Sequence, residues 1–437
     1  MTIVEFFDTN AVENIVSALL CAPEKVVLVG SNVKQMDKAK ARYEEIVKKH
    51  VKEIPFSSVG IDRNNLDKII EKLEEVVEEN GECTFDLTGG DDLYLVAVGA
   101  VFRAHPDKVQ LHRFNIRDNK LYDCDADGNT LAVKPIALSI EDSIKAYGGR
   151  VVFAEDKTTE EEKRKATYRW NFDEDFFEDI LNLWAVCKRN LTRWNVQVDA
   201  LAAFHEHCEM DHDALSVSIN IAETTAKLER KKALNKNDEI ELFAGGLYRE
   251  LETYGLIHSL RFNPTGFEFT YKNSRIKRCF YSAGQALELF VTMKALQMRD
   301  ANGNPLFNDV MTGVTIDWDG KIEQGKQDVE NEVDVILMKG LIPYFISCKN
   351  GRNFTSEELY KLSTVAERFG GQYAQKLLVA TQMQEMHKRG EAIANRAKVM
   401  GISVIENIDS EEDAAIQRLF EKFAKGCRLD AELKKTV

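Results

Sequence analysis

Apolar runs alternate with amphipathic stretches along the first third of the chain. Runs at residues 3–7, 26–30, 53–57, 83–87 and 109–116 predict strands, and the run at 26–30 is apolar throughout, which is typical of a strand buried on both faces. The stretches between them predict helices at residues 10–21, 38–49, 66–79 and 93–103. A hairpin of residues 121–124 and 130–133 follows. This order predicts an α/β fold in which residues 1–153 form a Rossmann-like domain around a parallel sheet.

The pattern changes after residue 153. Residues 154–165 are mostly charged and predict a linker, and residues 168–234 predict helices. A helix at 244–254 and a hairpin pairing 267–271 with 276–281 follow, so we expect residues 154–281 to form a helical, winged-helix-like connector. The basic runs at 227–232 and 272–278 are interpreted as solvated faces, with a nucleic-acid or dimer contact as the alternative.

The last segment, residues 282–437, has a different order of elements. A helix reaches about residue 299, and strands are predicted at 313–318, 332–338 and 344–348. A helix at 357–369, a strand at 376–381, a helix at 385–400 and a short strand at 402–405 follow. This αβββαβ order, a meander followed by a crossover, predicts a second domain that is not doubly wound.

The composition narrows the class of protein. The 437 residues are 44% hydrophobic and 30% charged, which excludes a disordered chain. The net charge of −14 argues against indiscriminate coating of nucleic acid, although it permits a local basic groove. No apolar run approaches the roughly 18 to 20 residues of a membrane span and no signal-peptide pattern begins the chain, so we expect a cytoplasmic protein with no membrane partner. The eight cysteines are scattered and are expected to be reduced thiols.

A threonine and two glycines follow the fourth predicted strand of the first domain. At Thr88, Gly89 and Gly90, close backbone approach and the N-terminus of the next helix favour a bound phosphate. Asp91 and Asp92 suit that helix terminus but would repel an anion, so a purely structural turn is the alternative. The carboxyl ends of the first two strands, where such folds bind ligands, carry Thr9, Asn10 and Ser31.

A second group of polar side chains lies at strand ends in the last segment. Asp334 on one strand and Lys349 at the end of the next can converge, and Glu288 lies on a helix that can pack across the sheet. Carboxylates there can hold Mg²⁺ or Mn²⁺, while a lysine stabilises negative charge on a reacting phosphate. A simple ion pair between Asp334 and Lys349 is the alternative.

These residues and this order of elements resemble a known family. The helix acid Glu288, Asp334 and Lys349, placed on an αβββαβ core, resemble the active-site pattern of the restriction-endonuclease-like PD-(D/E)xK superfamily. Together with the N-terminal strand, Thr-Gly-Gly and helix, the chain resembles CRISPR-associated ancillary nucleases that join a CARF sensor domain to such a nuclease domain. The resemblance implies a homodimer that binds a cyclic oligoadenylate, usually cyclic tetra-adenylate. Binding would activate metal-dependent cleavage of DNA or RNA in antiviral defence.

The resemblance also implies site residues, position by position. It implies catalytic roles for Lys349, Asp334 and Glu288, with Asp334 and Glu288 as metal ligands. Glu332, two residues before Asp334 on the same strand face, is added to the expected metal site. The resemblance implies an oligoadenylate site of Thr9, Asn10, Ser31, Thr88, Gly89 and Gly90. One departure is Ser347, which stands where the family has an acid two residues before the lysine. Glu332, or Glu357 and Glu358 on the next helix, are the candidates to replace that acid.

Other clusters are expected to be structural. His205, Cys208 and His212 would share one face of a helix, but a polar helix end is favoured over a metal site. The acidic string at 123–128 resembles a calcium loop, yet Lys134 stands at its twelfth position, so an Asp-Gly turn is favoured. The side chains expected in core or dimer packing are Trp170, Trp184 and Trp194.

Two other functions remain open. One is a ligand-responsive nucleic-acid-binding regulator with a catalytically silent nuclease fold, which Ser347 and the basic runs favour. The other is a Rossmann enzyme that acts on a small phosphorylated metabolite, which leaves the last segment unexplained.

Overall fold

A computed structural model describes residues 1–124, 129–131, 133–234, 240–321, 329–411 and 413–424. The tip of the hairpin that was considered as a calcium loop, residues 125–128, lies outside the described residues, as does Cys427. The seven described cysteines are free thiols. Within the described ranges, no helix combines the length and the apolar character needed to cross a membrane.

The N-terminal region is a Rossmann-like domain, as predicted. Its seven-stranded sheet has the order β3-β2-β1-β4-β5-β6-β7, parallel through β5 and antiparallel beyond. The strands are β1 (Thr2–Phe6), β2 (Lys25–Gly30), β3 (Phe56–Gly60), β4 (Cys83–Asp86), β5 (Val109–Asn115), β6 (Lys120–Asp123) and β7 (Thr130–Leu131). The helices are α1 (Val16–Cys21), α2 (Val33–His50), α3 (Leu66–Asn80) and α4 (Asp92–Ala104). The strand order reverses between β1 and β4, which is where such sheets bind ligands.

The first helix begins later than predicted. Residues 10–15 form turns, and α1 begins at Val16. The buried Asn14 side chain accepts a hydrogen bond from the Asp8 backbone N–H at 2.7 Å and donates one to the Asp8 carbonyl at 2.8 Å. These bonds hold the loop after β1 in a folded turn instead of a helix.

Two elements connect this domain to the rest of the chain. They are α5 (Ile140–Ala146) and β8 (Arg150–Val151), and β8 pairs with a strand of the C-terminal sheet. Strand β8 therefore belongs to the C-terminal sheet, although it precedes residue 153, the predicted end of the first domain. The boundaries 1–153, 154–281 and 282–437 remain predictions.

The connector has the winged-helix-like topology that was predicted. After a 3₁₀ turn (Ala154–Asp156) come α6 (Glu160–Lys165), α7 (Glu174–Arg189), α8 (Leu191–His207), β9 (Ser216–Asn220), α9 (Ile221–Lys231), α10 (Gly245–Thr253), β10 (Ile257–Asn263), β11 (Gly266–Tyr271) and α11 (Ser274–Arg278). Its three strands pair in the order β10-β11-β9, which gives helix, strand, two helices and a hairpin wing.

The predicted partner of the wing strand was wrong. Residues 267–271 pair with β10 and β9, whereas residues 274–278 are helical. The Asn273 side chain accepts a hydrogen bond from the Ile276 backbone N–H at 2.9 Å and so caps α11. Strand β9 lies in the block predicted to be helical, and its buried residues alternate with exposed ones.

The C-terminal region has the predicted αβββαβ order. Its elements are α12 (Gln285–Gln297), β12 (Asp309–Asp317), β13 (Glu330–Lys339), β14 (Ile342–Lys349), α13 (Glu357–Gly370), a 3₁₀ turn (Gly371–Tyr373), β15 (Gln375–Ala380), a 3₁₀ turn (Gln384–Met386), α14 (Lys388–Val399), β16 (Ser403–Ile405) and α15 (Asp413–Ala424). The sheet order is β16-β15-β14-β13-β12-β8, with an antiparallel meander followed by a parallel crossover through α13.

One hydrophobic core spans the N-terminal and C-terminal regions. It combines buried residues of α1 and α2 with α5, one face of the C-terminal sheet and α13. A second core joins α12 and the other face of that sheet to the connector, and a third lies under α3 and α4. The N-terminal and C-terminal regions are thus packed together through the first of these cores.

Candidate functional site

Asp334, in the middle of β13, and Lys349, at the end of β14, lie close together. The Lys349 Nζ lies 3.6 Å from Asp334 Oδ2 and 3.0 Å from Glu358 Oε2, which projects from the first turn of α13. Burial opposes the charge on Lys349, but the carboxylates of Asp334 and Glu358 outweigh it, so the pKa of this lysine is raised. Lys349 therefore carries its positive charge between two carboxylates.

Ser347, which stands where the related pattern has an acid, orients Asp334. Ser347 Oγ donates a hydrogen bond to Asp334 Oδ2 at 3.1 Å, and the Cys348 backbone N–H donates to the same oxygen at 2.6 Å. Ser347 is buried. Where the related pattern has a carboxylate, this chain has a donor that holds the neighbouring carboxylate in place.

Most of these charged side chains line a cleft between the C-terminal sheet and α13. It is lined by Glu332, Asp334, Ser347, Lys349, Glu358 and Lys361, together with apolar residues of α13. Burial, followed by the charge of Asp334, raises the pKa of Glu332. Of the two acids proposed for the start of α13, Glu358 reaches the cleft and Glu357 is exposed.

Glu288 approaches from a different side. It lies on α12, which packs across the sheet from α13, and the described residues that line the cleft do not include it. Burial raises the pKa of Glu288 well above its ordinary value, and the negative charges of Asp334 and Glu332 add to this effect. The field of the cleft carboxylates therefore reaches Glu288, although its side chain accepts its hydrogen bond from Gln285 Nε2, at 3.3 Å.

The cleft suits a divalent cation by its chemistry. Oxygen ligands from carboxylates are those that Mg²⁺ and Mn²⁺ prefer. A cation would stabilise the charged forms of Glu332 and Glu288, which burial and, to a smaller extent, neighbouring carboxylates disfavour. In the described part of the chain, however, no three His, Cys, Asp or Glu side chains are already gathered closely enough to hold a metal ion. The acids fit a metal in type, and a bound ion would draw them together.

The Thr-Gly-Gly turn lies at the reversal of strand order in the N-terminal sheet. Thr88 Oγ1 donates to Asp86 Oδ1 and accepts from the Phe114 backbone N–H at 2.8 Å, so this hydroxyl fixes the turn. Gly90 has a φ of 112°, and a Cβ there would lie 2.9 Å from Phe6 Cβ. Only glycine permits this close approach of the turn to β1.

The predicted ligand residues occupy two neighbouring loops and a third position. Thr9 and Asn10, after β1, lie beside the turn of Thr88, Gly89 and Gly90, since a Cβ at Gly89 would lie 3.4 Å from Asp8 Cβ. Ser31 is exposed before α2, beyond the next strand. The structure thus brings five of the six proposed residues to the β1/β4 reversal.

A buried polar network supports this turn from below, and the sequence patterns did not predict it. Ser17 Oγ donates to Asp86 Oδ2 at 2.5 Å, and His112 Nε2 lies 2.9 Å from Ser17 Oγ. Glu5 stands opposite Asp86 in the sheet, and burial, together with the charge of Asp86, raises its pKa well above the usual range. Asp86 therefore connects buried groups to Thr88, whose backbone N–H it also accepts at 2.9 Å.

The residues of the histidine cluster do not share one helical face. Helix α8 ends at His207, so His212 does not continue the helical face. His205 is fully buried, with Nε2 at 2.8 Å from Tyr271 Oη and Nδ1 at 3.1 Å from Glu209 Oε2. Trp184 and Trp194 are buried in the connector core, and Trp170 packs against it.

The basic run at 272–278 makes internal ion pairs. Lys272 binds Asp179, Arg275 binds Asp173, and the buried Lys277 binds Glu209. The interpretation of this run as a nucleic-acid surface is therefore not favoured. Around 227–232 the side chains of Lys227, Lys231 and Lys232 are exposed.

The fold and these two sites define a class of protein. It is an α/β protein that joins a Rossmann-like domain, through a winged-helix-like connector, to a restriction-endonuclease-like domain. Residues 276–424 match the family described as Card1-like, endonuclease domain. No curated protein sequence matches the chain significantly.

Solved structures share the fold over the whole chain. The crystal structure of protein VC1899 from Vibrio cholerae has a TM-score of 0.67 and 17% identity, covering 98% of this chain and 99% of that one. Can2 from Sulfobacillus thermosulfidooxidans, solved in complex with cyclic tetra-adenylate, has a TM-score of 0.60 and 15% identity, covering 97% of each chain. The family match confirms the predicted resemblance for residues 276–424. The solved structures show that the fold is shared over nearly the whole chain.

Proposed function

We propose that this protein is a cyclic oligoadenylate-activated, metal-dependent nuclease that hydrolyses phosphodiester bonds of DNA or RNA in cytoplasmic CRISPR defence. The observation that carries the proposal is the convergence of Asp334, Glu332, Glu358 and Lys349 in one cleft between the sheet and α13, in a domain that matches Card1-like endonucleases. Acids beside a charged lysine suit phosphodiester hydrolysis, because they can hold a divalent cation next to a group that stabilises negative charge.

Each group in the cleft has a role in this proposal. Asp334, oriented by Ser347 and the Cys348 N–H, would hold Mg²⁺ or Mn²⁺ with Glu332, and Glu288 and Glu358 are the further candidates. When bound, such an ion lowers the pKa of a water ligand and polarises the phosphate. A water oxygen would attack phosphorus as the bond from phosphorus to the leaving oxygen breaks, while Lys349 Nζ stabilises the added negative charge. The proton lost by the water would go to solvent, and the leaving oxygen would take one from solvent.

The proposed activator site is the β1/β4 reversal. Thr9, Asn10, Thr88, Gly89 and Gly90, with Ser31 farther out, would contact the phosphates of cyclic tetra-adenylate near the N-terminus of α4. The support is the position of these loops and the shared fold with Can2, whose structure contains this ligand. The Asp91 side chain accepts the Leu93 N–H at 3.2 Å as the α4 cap, so part of its charge serves the helix.

We also propose that the chain forms a homodimer through its N-terminal domain. Helix α4 exposes Val96, which is 59% accessible, together with Gly99 and Ala100 on the same face. An apolar helix face of this kind beside the ligand loops would be covered by a second copy, which would place two ligand sites together.

A cleavage assay tests the proposed function. Plasmid and single-stranded substrates are incubated with and without cyclic tetra-adenylate and Mn²⁺, and wild type is compared with Lys349→Ala. We expect ligand- and metal-dependent cutting by wild type and a loss of about 100-fold or more in the variant. Equal cutting by both proteins would remove Lys349 from the mechanism.

A regulator with a silent nuclease fold is the second candidate. The winged-helix topology of the connector favours it, since this topology is common in DNA-binding domains. No cleavage under any of these conditions, with ligand-dependent binding of duplex DNA retained, would support this function over the nuclease.

A further inference from the structure

The loop after β1, which carries Thr9 and Asn10 of the proposed ligand site, touches the C-terminal region directly. Asn10 Oδ1 accepts a hydrogen bond from the Gln372 backbone N–H at 3.0 Å. Glu13 Oε1 accepts one from Gln372 Nε2 at 3.0 Å and one from Tyr373 Oη at 2.5 Å. We call this contact between residues 10–13 and residues 371–373 the joint.

The backbone of the joint requires a glycine. Gly371 has a φ of 56°, and a Cβ there would lie 2.7 Å from Tyr147 Oη and would overlap the Asn10 side chain. The 3₁₀ turn therefore approaches the loop after β1 as closely as its backbone allows.

On the N-terminal side, the joint borders the proposed ligand site. A Cβ at Gly89 would lie 3.0 Å from Glu13 Oε2, so the second carboxylate oxygen of Glu13 lies against the Thr-Gly-Gly turn. Asn10 belongs to both the joint and the proposed site. A ligand that displaces either loop would have to change these contacts.

On the C-terminal side, the joint continues into the nuclease cleft. The 3₁₀ turn follows α13 without a break, and α13 carries Glu358 at its opposite end, 3.0 Å from Lys349. The helix has 14 residues and is about 20 Å long. Its buried face includes Leu359, Val365 and Phe369, so a displacement at one end is transmitted along the packed helix.

The joint contains groups that can form other hydrogen bonds. Glu13 is a carboxyl group with 3% exposure, which is costly to bury without donors, and residues 372 and 373 supply two of its hydrogen bonds beside one from the Asn10 side chain. Tyr147 Oη is buried beside Gly371 and has no hydrogen-bond partner among the described residues. A shift of the turn would exchange one donor for another.

We infer that Glu13, Gln372 and Tyr373 are positioning residues that couple the ligand site to the Glu358–Lys349 pair through α13. The inference rests on the proposed function and names how its activation is transmitted. The coupling requires that the ligand favour one arrangement of the joint over another.

The test compares variants that leave both sites intact. Gln372→Ala with Tyr373→Phe removes two hydrogen bonds of the joint, and Tyr360→Phe on the exposed face of α13 is the control. Calorimetry with cyclic tetra-adenylate establishes saturation, and cleavage rates are measured without ligand and at saturation. We expect the ratio of these rates to fall by at least about fivefold in the joint variant and to stay unchanged in the control.

The outcomes separate the inference from the proposed function. Ligand-activated cleavage by wild type with an unchanged ratio in the joint variant would overturn the inference alone. Absence of ligand binding and cleavage in wild type would overturn both. Tyr373→Phe alone, which keeps the ring, gives the same comparison if the double variant fails to fold.

Discussion

Glu358 lies 3.0 Å from Lys349 Nζ, whereas position 347, where the related pattern has an acid, holds a serine. The pattern could bring Asp334 and Lys349 together, because neighbouring strands of a meander pair and so place Asp334 of β13 beside the end of β14. It left the third acid open, because the reach of the first turn of α13 into the cleft depends on packing between helix and sheet. The buried Glu13 was also missed, because turns after a strand leave no periodic signal.

A pair of adjacent glutamates tests the role of Glu358. Glu358→Gln removes a charge 3.0 Å from Lys349 Nζ, whereas Glu357→Gln changes an exposed side chain one residue earlier. We expect the initial rate of cleavage to fall on the order of tenfold in the first variant and to remain at the wild-type value in the second. Equal rates would exclude Glu358 from the site.

Glu13 predicts a pH dependence of stability. Burial raises its pKa to about 7, with a further increase from Asp8 and opposing hydrogen bonds from Tyr373 and Gln372. The folded protein therefore holds this proton more tightly than the unfolded chain, so the stability that it confers is complete at low pH and is lost as pH rises through about 7.

Thermal unfolding measures this effect. The difference in melting temperature, wild type minus Glu13→Gln, should be lower at pH 8 than at pH 5.5. The same difference for Glu78→Gln, an exposed position on α3, should not change between the two pH values. A difference independent of pH would mean that Glu13 does not titrate in this range.

At the scale of elements, most strands and helices follow from local patterns, whereas β8, β9 and β10 were not predicted. The errors at α1 and at the wing have local causes. The α1 start was misplaced because Asn14 ties its side chain to the Asp8 backbone. The wing was mispaired because β10 is mostly exposed and carries little hydrophobic signal, whereas residues 276–281 have apolar side chains at spacings that suit either a strand or a helix.

The turn after β4 provides a prediction at this scale. Gly90→Ala places a Cβ 2.9 Å from Phe6 Cβ at a φ of 112°, so the Thr-Gly-Gly turn must shift. We expect the affinity for cyclic tetra-adenylate, measured by calorimetry, to fall by about tenfold or more. Gly246→Ala, whose Cβ makes only an ordinary contact in α10, should bind as wild type does.

At the scale of the whole molecule, the regions are packed as one body through α5, β8 and α13. Strand β8 pairs with β12, and Arg368 Nη1 on α13 donates to the Tyr147 carbonyl at 2.7 Å. Composition and charge could not predict this, because they say nothing of which strand completes which sheet.

Two fragments test how the regions depend on one another. A fragment of residues 154–437 lacks α5 and β8, whereas a fragment of residues 133–437 keeps both. We expect the shorter fragment to unfold at a lower temperature, because it exposes the edge of β12 and the core face of α13. Equal melting temperatures would show that these elements add nothing to the C-terminal region.

The pairing of β8 with the C-terminal sheet also limits how such proteins can diversify in evolution. A recombination event that replaced the first 153 residues with those of a distant homologue would replace β8, α5 and the loop facing residues 371–373 together. The incoming segment would then have to fit an edge strand, a core and a hydrogen-bonded turn that evolved with another partner. Changes at the proposed ligand site should therefore arise by point substitutions in the loops after β1 and β4 more readily than by exchange of the whole N-terminal region.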